Sequence, residues 1–513
     1  MQYLVLFFIL AVLDHIYFRC KFVREKGPAV WCGFPFVGIL PVLLLPKRLY
    51  MPIYDWYLKT APDVVITRHF YPVTIVKRRY VKELQKNDSC IHRISNALFE
   101  TLGELCTGRQ GWSLFDGPFP NADWRSSRKV NVMALHVLPK RRKFDKIAEV
   151  AKTFLEKIEE RNGESWDFED DLTFSKFQES ANLNLGATFD SDDISGFIRD
   201  LKAVMTVAFG LFCVSVVIPL KSLFTLERWL PYSKRPSVFS RVYKELLWRL
   251  QFEKMAAVGG EAHDYVEALL RVRSPEVAHQ NLRENAIFLV VASTMTTLHS
   301  TASALCHLAL HPRFQEKILR EYHEVVGSSK LTSDHLDDMH FLRAVVNEAV
   351  RISPPIPLVE RYTRSRCQLG DIDIPAHMPL LVLMQSEVVD PKTYPDPEVF
   401  NPFRFLDGNM KLKDQVQAPF ARGKRSCPGQ DIALISIAVY VAEIVRHFEL
   451  IPENPNAKVP GYDGAVFPSL PKIPIRFVRR PGAPAIEHVA LKGGLTAIIR
   501  QVVDDDKKLN SNS

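Results

Sequence analysis

The sequence predicts a mainly α-helical protein with a small β part (α+β), in which one large domain follows an amino-terminal membrane anchor helix. Three observations lead to this class. An apolar run opens the chain, helical periodicity dominates from about 124 to 350, and alternating stretches occupy 358–383. The 513 residues include 47% hydrophobic and 24% charged residues, ordinary globular values that exclude a disordered or collagen-like chain.

The opening segment is an apolar stretch from Tyr3 to Phe18, interrupted only by Asp14 and His15. Basic residues follow at positions 19, 21, 24 and 26. No basic residue precedes the run and no small-residue cleavage site follows it, which argues against a cleaved signal peptide. The positive-inside rule then predicts a single-pass anchor over residues 1–20 and a cytosolic remainder.

The remaining boundaries follow from composition. Prolines between positions 28 and 46 prevent a continuous helix, so 21–50 is a predicted linker. The main domain is predicted over 51–480, and a polar, loosely packed tail over 481–513. A second apolar run, Val204 to Leu220, is either a buried helix or a segment that dips into the membrane.

Several elements of the main domain can be predicted in chain order. VVIT at 64–67 and VTIVKR at 73–78 indicate a hairpin. The segment 143–163 has apolar residues at helical spacing and a glycine stop. LVERYTR, IDIP and PLLVLM, between 358 and 384, predict short strands, and an apolar helix is expected from about Gln430 to His447.

Charge and cysteine content limit the classes of function that the chain can have. Lys plus Arg is 66 and Asp plus Glu is 58, so the net charge of +8 is modest. It favours docking to an acidic partner or an anionic membrane over nucleic-acid binding, which needs a basic stripe. The eight cysteines contain no C-x-x-C pair, and a chain this long needs no disulfide scaffold, so we expect reduced thiols.

One cysteine has unusual surroundings. Cys427 lies in PFARGKRSCPGQDIAL, immediately before the predicted carboxy-terminal helix. The positive end of that helix and the nearby Arg422, Lys424 and Arg425 should favour the thiolate over the thiol. Gly423 should allow a tight turn that brings backbone N–H groups to the sulfur.

A thiolate at this position is either a nucleophile or a metal ligand. A nucleophile needs a histidine base, and the nearest histidines in sequence are His377 and His447. Heme iron needs a single axial thiolate that is held rigidly and hydrogen-bonded. The residues alone leave both alternatives open.

The motif F-x-x-G-x-R-x-C-x-G around this cysteine resembles the heme-binding loop of the cytochrome P450 family. Its residues here are Phe420, Gly423, Arg425, Cys427 and Gly429. The resemblance implies a single heme-thiolate domain, heme b (iron protoporphyrin IX) as cofactor, and Cys427 as the axial iron ligand. The Cys-Pro-Gly loop and the anchored architecture look eukaryotic and microsomal, with a fungal character.

The remaining family motifs follow in order. Glu348 and Arg351 form E-x-x-R, which by itself is an ordinary surface pair on a helix. The PFRF segment at 402–405 resembles the family's P-x-R-F and supplies Arg404. The resemblance implies that these three charged residues form a buried network that locks the loop on the heme side.

Heme contacts are also implied by the resemblance. Trp124 and Arg128 match a W-x-x-x-R motif whose side chains reach a heme propionate. Arg361 and Arg425 would neutralise the propionates by the same analogy. Residues 27–38 resemble the family's proline-rich hinge.

The apolar segment 285–310 carries hydroxyl residues close to one face: Ser293, Thr296, Thr297, Ser300 and Ser303. One alternative is that each hydroxyl only bonds back to the preceding turn. The family's A/G-G-x-D/E-T-T aligns with 292–297, which implies that Thr296 holds water at the oxygen-binding side, with Thr297 as the next candidate. Ser293 replaces the usual glycine and Met295 the usual acid, so protons would need Ser293, Thr297 or water as a route.

The resemblance therefore implies a membrane-anchored monooxygenase that inserts one oxygen atom of O2 into a hydrophobic substrate in secondary metabolism. A terpenoid, sterol, fatty acid or polyketide would suit a membrane-facing pocket lined by residues around 90–120, 204–220 and 291–297. Electrons would come from NADPH through a membrane-bound cytochrome reductase in the endoplasmic reticulum, with cytochrome b5 as a further partner. The basic heme-side surface for docking would include Arg422, Lys424 and the PKRRK run at 139–143.

Met295 motivates a rival interpretation, a peroxide-using or reductase-independent heme-thiolate isomerase or dehydratase. Two further alternatives are a heme-binding protein without turnover and a non-heme enzyme that uses Cys427 as a nucleophile. The last predicts purification without heme.

Overall fold

The computed structural model describes residues 2–31, 61–68, 72–90, 122–186, 261–272, 279–406, 418–460 and 470–489, with a few positions between them. The expectations for the hinge prolines at 35–46, the apolar run at 204–220, most of the pocket wall at 90–120 and the end of the tail lie outside the described residues.

Helices form most of the described structure, as predicted. Their bounds are α1 Gln2–Phe22, α2 Arg79–Lys86, α3 Ala122–Val137, α4 Lys140–Glu160, α5 Glu169–Leu185, α6 Tyr265–Val272, α7 His279–Leu310, α8 Pro312–Val325, α9 His335–Asp338, α10 His340–Ile352, α11 Met384–Val388 and α12 Gln430–His447. Short 3-10 turns occupy Pro402–Phe405, Ala418–Phe420 and Gly423–Arg425. The predicted amphipathic helix corresponds to α4, and the predicted apolar helix corresponds to α12.

The β part of the described residues consists of three small sheets. The strands are β1 Ala29–Trp31, β2 Val64–Arg68, β3 Pro72–Val76, β4 Ser165–Trp166, β5 Val359–Tyr362, β6 Cys367–Leu369, β7 Ile372–Ile374, β8 Pro379–Val382, β9 Phe448–Pro452 and β10 Ile475–Arg479. One sheet has the order β1-β2-β3-β8-β5, another β4-β10-β9, and β6 pairs with β7. The predicted hairpin is confirmed, since β2 and β3 pair antiparallel with Val64 opposite Val76.

Five of these strands were not predicted. β1, β4, β6, β9 and β10 contain two to five residues each, so their alternation is too short to be distinctive. Of these, β1, β4 and β10 pair with segments distant in sequence. β4, for example, joins the sheet through Trp166, which lies opposite Ile475 of β10. Non-local pairing of this kind leaves no periodic signal in a short window.

The core lies where the long helix α7 packs against α5, α10 and α12. Its main apolar cluster joins α4, α7, α8, α10, α12 and β9–β10. Phe154 is buried there against Trp166 and Tyr440, with ring centroids 5.7 and 6.1 Å apart. Close packing of this kind fixes the relative placement of α7 and α12, which carry the predicted oxygen-side and sulfur-side residues.

The core also holds a buried ion pair. The ammonium of Lys176 donates to the Glu179 carboxylate at 3.0 Å and to the Ser436 hydroxyl at 2.7 Å, and it lies over the Tyr440 ring. The side chains of Lys176 and Glu179 are 0% and 5% exposed. Burial lowers the pKa of Lys176 to about 8.

A disulfide joins Cys90, which follows α2, to Cys367 of β6, with Cα atoms 7.1 Å apart. The expectation of reduced thiols is therefore wrong for these two residues. They are 277 positions apart in sequence but belong to one apolar cluster, which is why spacing did not reveal them. Cys20, Cys306 and Cys427 are free.

The amino-terminal segment is helical, as predicted, and its end packs onto the body. Phe18 and Phe22 of α1 are buried in the cluster that contains β2, β3 and α2. Large apolar side chains earlier in α1 are exposed, among them Leu13 and Tyr17. Within the described residues, none of the helices combines the length and the apolar character needed to cross a membrane.

The core predicts a specific acid sensitivity. Burial, with His311 and Arg351 nearby, lowers the pKa of His307 to about 3, and its ring stacks on Phe400 with centroids 4.5 Å apart. Because the unfolded side chain binds a proton near pH 6.5, the stability that this neutral ring contributes is complete above that pH. It is lost as pH falls toward 3, at up to about 1.4 kcal/mol per pH unit.

We therefore expect His307→Phe, which keeps the stacked ring, to flatten the fall in unfolding free energy between pH 6 and 4. Denaturant unfolding at several pH values measures this slope. His340 is exposed, and His340→Phe is the matched control that should keep the wild-type slope. Equal slopes for the wild type and His307→Phe would contradict the assignment.

Candidate active site

The Cys427 loop is built by backbone contacts. It begins after the 3-10 turn Ala418–Phe420 and ends at Gly429, which precedes the first turn of α12. The Cys427 N–H donates to the Phe420 carbonyl at 2.8 Å. The Gly429 N–H donates to the Cys427 sulfur. The loop therefore holds the sulfur at the amino-terminal end of α12, where N–H groups have no intrahelical partner.

Gly423 is required by a close approach between this loop and α2. Its φ is +72°, and a Cβ at this position would lie 2.4 Å from the backbone oxygen of Gln85. Any side chain would both clash and strain the backbone. The Gln85 side chain is buried and accepts the Arg422 N–H at 2.9 Å, so the carboxy-terminal end of α2 holds the loop from a second side.

The basic residues of the loop do not converge on the sulfur, contrary to the sequence prediction. Arg422 is buried and its guanidinium forms two parallel contacts with the Glu387 carboxylate, at 2.8 and 2.9 Å. Lys424 is exposed and pairs with Asp88. Arg422 is therefore removed from the predicted docking surface, because its charge is satisfied inside the protein.

Desolvation of the sulfur by the surrounding protein opposes the predicted preference for the thiolate. The Cys427 side chain is exposed, yet protein atoms lie close enough around its sulfur that desolvation raises the pKa of the thiol. The Gly429 N–H and the charge of Arg128 act in the opposite direction but are weaker. Coordination to a metal is what would stabilise the thiolate here.

The W-x-x-x-R residues of α3 lie beside the loop. The Arg128 guanidinium donates to the Ser426 carbonyl at 2.7 Å. The Trp124 ring is buried, with the guanidinium carbon of Arg425 4.1 Å from its centroid. Two guanidinium groups and an indole therefore flank the sulfur-bearing loop, as an anionic cofactor would require. Arg361 on β5 is buried and donates to the Glu360 carbonyl at 2.7 Å.

The E-x-x-R residues form a buried cluster rather than a surface pair. Glu348 and Arg351 are both 0% exposed, and the carboxylate accepts from the Arg351 Nε at 2.7 Å and Nη2 at 2.8 Å. It also accepts from the Arg404 Nε at 3.1 Å and from the Asn401 N–H at 2.9 Å. Arg351 donates in addition to the carbonyl of Val388, the last residue of α11.

Two of the hydroxyl residues of α7 make only the local bonds of the simpler alternative, whereas the Ser303 hydroxyl donates to the Ala349 carbonyl of α10 at 3.2 Å. The hydroxyls of Thr296 and Thr297 donate to the carbonyls of Ala292 and Ser293, at 2.8 and 2.6 Å. Such bonds still leave each hydroxyl oxygen able to accept. Thr296 is half-buried whereas Thr297 is buried, so Thr296 is the better placed of the two to contact a bound molecule.

The two positions that depart from the family pattern have packing roles. Met295 packs against the cluster formed by α3, α5 and α6. The Ser293 hydroxyl donates to the Leu289 carbonyl at 2.6 Å and lies 2.5 Å from the Ser180 hydroxyl of α5. Ser293 therefore bonds toward the neighbouring helix, which weakens the idea that it carries protons to Thr296.

The surroundings of Cys427 fit heme ligation better than a nucleophilic cysteine, which would need a histidine base. His447 lies at the opposite end of α12, about 25 Å along the helix from the Cys427 loop. His377 forms a hydrogen bond with the Tyr362 hydroxyl at 3.0 Å. An exposed single sulfur held by a backbone N–H, with cations beside its loop, matches an axial thiolate ligand and its anionic macrocycle. Among the described residues, acidic, His and Cys side chains form no three-residue metal cluster.

The sequence did not reveal the contact partners of three residues of this site. Gln85 and Glu387 contact the loop from 337 and 35 positions away, and Arg422 looked like one more exposed cation. Glu387 lies in an apolar strand-to-helix stretch, LVLMQSEVV, where an acid without an exposed neighbour is a signal for a buried partner. The partner itself could not be identified without the fold.

The Glu348 cluster yields a stability prediction. Glu348→Gln leaves the buried Arg351 charge without its carboxylate, so we expect a loss of about 3–5 kcal/mol in unfolding free energy. Denaturant unfolding measures it. Glu160 forms an exposed ion pair with Lys157, so Glu160→Gln should cost at most about 1 kcal/mol. Equal losses in the two variants would show that the cluster contributes no more than a surface pair.

Comparison with known proteins supports the same assignment. The sequence profile of the family described as Cytochrome P450 matches residues 35–474. Tryptamine 5-hydroxylase of Oryza sativa subsp. japonica is 34% identical over 204 residues, 37% of this chain and 39% of that protein. Probable cytochrome P450 4d21 of Drosophila melanogaster is 29% identical over 209 residues, 39% of this chain and 41% of that protein.

Germacrene A acid 8-beta-hydroxylase of Inula hupehensis is 24% identical over 424 residues, 80% of this chain and 81% of that protein. The first two alignments span only about two fifths of the relatives' lengths, whereas this one spans most of both chains. Plant and insect sources give no support to the fungal character inferred from the loop. Because the family profile covers most of the sequence and includes the Cys427 loop, the chain belongs to the cytochrome P450 family.

Proposed function

We propose that this heme-thiolate oxidoreductase is a monooxygenase that uses electrons from NADPH, delivered by a separate reductase, to oxidise a hydrophobic small molecule. The observation that carries the proposal is the Cys427 loop, in which one exposed sulfur is held at the start of α12. Two of the relatives are named as hydroxylases, which supports the proposed oxygen insertion. A terpenoid, sterol, fatty acid or polyketide from secondary metabolism is the substrate class we propose.

The residues of the site divide the work of binding. Heme b, when bound, supplies oxygen activation, so that one oxygen atom enters the substrate and the other leaves as water. Cys427 would hold its iron through the sulfur, and Arg128, Arg425 and Arg361 would neutralise its propionates. Trp124 keeps the Arg425 guanidinium in place by stacking. The Glu348 cluster would stabilise the part of the protein that surrounds the Cys427 loop.

Thr296 of α7 is half-buried. It would hold water and direct protons to the reacting oxygen. Its hydroxyl donates to the Ala292 carbonyl and can accept a hydrogen bond from water. Because Met295 carries no proton, the route would use Thr297 or water rather than an acid at that position. The alternative without a reductase, in which the chain uses peroxide or isomerises its substrate, is favoured by this same methionine.

We further propose that α1 attaches the chain to the endoplasmic reticulum membrane as a single-pass anchor, with the catalytic domain in the cytosol. Support comes from the exposed apolar side chains of α1, such as Leu13, Ile16 and Tyr17 at 51–62% exposure. The basic residues at positions 19–26 follow on the side expected for the cytosol. Membrane attachment would bring a lipid-soluble substrate and the reductase to the same surface.

Reductase docking would use the exposed cations beside the Cys427 loop. These are Arg125 and Lys129 of α3, both exposed, and in part Lys424 of the loop, which is exposed but pairs with Asp88. The PKRRK run contributes only in part, because Lys143 is buried and Lys140 pairs with Asp337. Cytochrome b5 would compete for the same surface.

Docking at this surface predicts a salt effect. The rate of heme reduction by the reductase should fall as ionic strength rises, and Lys129→Glu should lower it by about tenfold at low salt. Lys330→Glu, at an exposed position after α8, is the control with the same charge change.

Product formation with reductase and NADPH, compared with product formation with peroxide alone, tests the enzyme class. Turnover with peroxide only would select the rival.

The role of Thr296 predicts uncoupling. Thr296→Ala should consume NADPH at a comparable rate but form at least several-fold less product per NADPH, with hydrogen peroxide released instead. Product and peroxide are measured against NADPH oxidation. Thr297→Ala, one residue away and buried, is the matched control. If only Thr297→Ala uncouples, the assignment of Thr296 is wrong.

A further inference from the structure

We propose that Glu387 and Arg422 form a positioning pair that fixes the Cys427 loop in the geometry that ligates heme, an inference that rests on the proposed function. Arg422 lies five residues before Cys427, within the loop itself. Its side chain is 5% exposed, and that of Glu387 is 11% exposed. Both nitrogens at the end of the guanidinium contact the carboxylate, at 2.8 and 2.9 Å.

The pair fixes the orientation of the Arg422 guanidinium as well as its distance from the Glu387 carboxylate. A guanidinium that meets a carboxylate through two parallel contacts is oriented in its plane, which a single point contact does not achieve. The backbone of the same residue is also held, because the Arg422 N–H donates to the Gln85 side chain. Gly423 then lies against the Gln85 carbonyl. The loop is thus anchored through both side chain and backbone at one residue.

The partner of Arg422 is itself held by neighbouring elements. Met384 of α11 accepts the Gln85 amide at 2.9 Å, and Ser386 accepts the Arg78 N–H at 2.7 Å. Val388 accepts a hydrogen bond from Arg351 at 2.8 Å. This short helix therefore links the Glu348 cluster to the Cys427 loop, and Glu387 provides the last contact in that link.

The local backbone shows why such a clamp is needed. Ala421, immediately before Arg422, has a φ of +60°, which a residue with a Cβ seldom adopts. Gly423, immediately after it, has a φ of +72°. Arg422 therefore sits between two left-handed residues, and its ion pair with Glu387 opposes relaxation of this part of the loop.

The test compares two Glu→Gln variants, each of which removes the carboxylate of a buried ion pair. Glu387→Gln removes the loop contact, whereas Glu179→Gln removes the carboxylate from the buried pair with Lys176, which does not touch the loop. In the heme-loaded protein we measure the rate of heme transfer to excess heme-free myoglobin. We also measure the fraction of heme with a red-shifted Soret band in the reduced carbon-monoxide complex.

We expect Glu387→Gln to release heme about tenfold faster than the wild type and to show a smaller red-shifted fraction, because outer contacts of a metal ligand control its affinity. Glu179→Gln should stay close to the wild type in both readouts. Arg422→Lys, which keeps the charge and loses the planar fork, should fall between them and carries the test if Glu387→Gln does not fold.

The outcomes separate this inference from the proposed function. A wild type with the red-shifted band, together with Glu387→Gln that matches Glu179→Gln in both readouts, would overturn the positioning pair alone. A wild type without the red-shifted band would overturn the proposed function and the positioning pair together. Faster heme release and a smaller shifted fraction in Glu387→Gln, but not in Glu179→Gln, would support the pair.

Discussion

The structure depends on the burial of one carboxylate, that of Glu348, between Arg351 and Arg404. A buried charge is costly unless its hydrogen-bonding capacity is filled, and here both oxygens accept from guanidinium groups or backbone. The cluster ties α10 to the turn Pro402–Phe405, and its Arg351 also binds the end of α11. The position of α11 follows from this cluster.

The sulfur-bearing loop must be both exposed and fixed. Exposure lets Cys427 reach a cofactor, but an exposed loop is ordinarily the least ordered part of a fold. Here the loop is held by α2 through Gln85, by α3 through Arg128 and by α11 through Glu387. The same contacts draw Arg422 away from the sulfur, so the loop cations serve to hold the loop and do not activate the thiol.

Local patterns could be predicted from the sequence where the physics is local. The 3.6-residue periodicity of α4, the apolar run of α12 and the hairpin β2–β3 all follow from adjacent residues. Contacts across hundreds of residues could not be predicted, namely the Cys90–Cys367 disulfide and the Glu387–Arg422 pair. Site motifs identified the sulfur and the Glu348 cluster. The direction in which each cation points could not be predicted without the fold.

The axial thiolate is the central claim, and the carbon-monoxide difference spectrum of the dithionite-reduced wild-type protein tests it most directly. Measured in membranes, the chain should show a strongly red-shifted Soret band, because a thiolate ligand to the iron would change the electronic structure of the heme. Heme that binds with an unshifted band would show that Cys427 does not ligate as a thiolate. The proposed chemistry would then be contradicted, although the fold would stand.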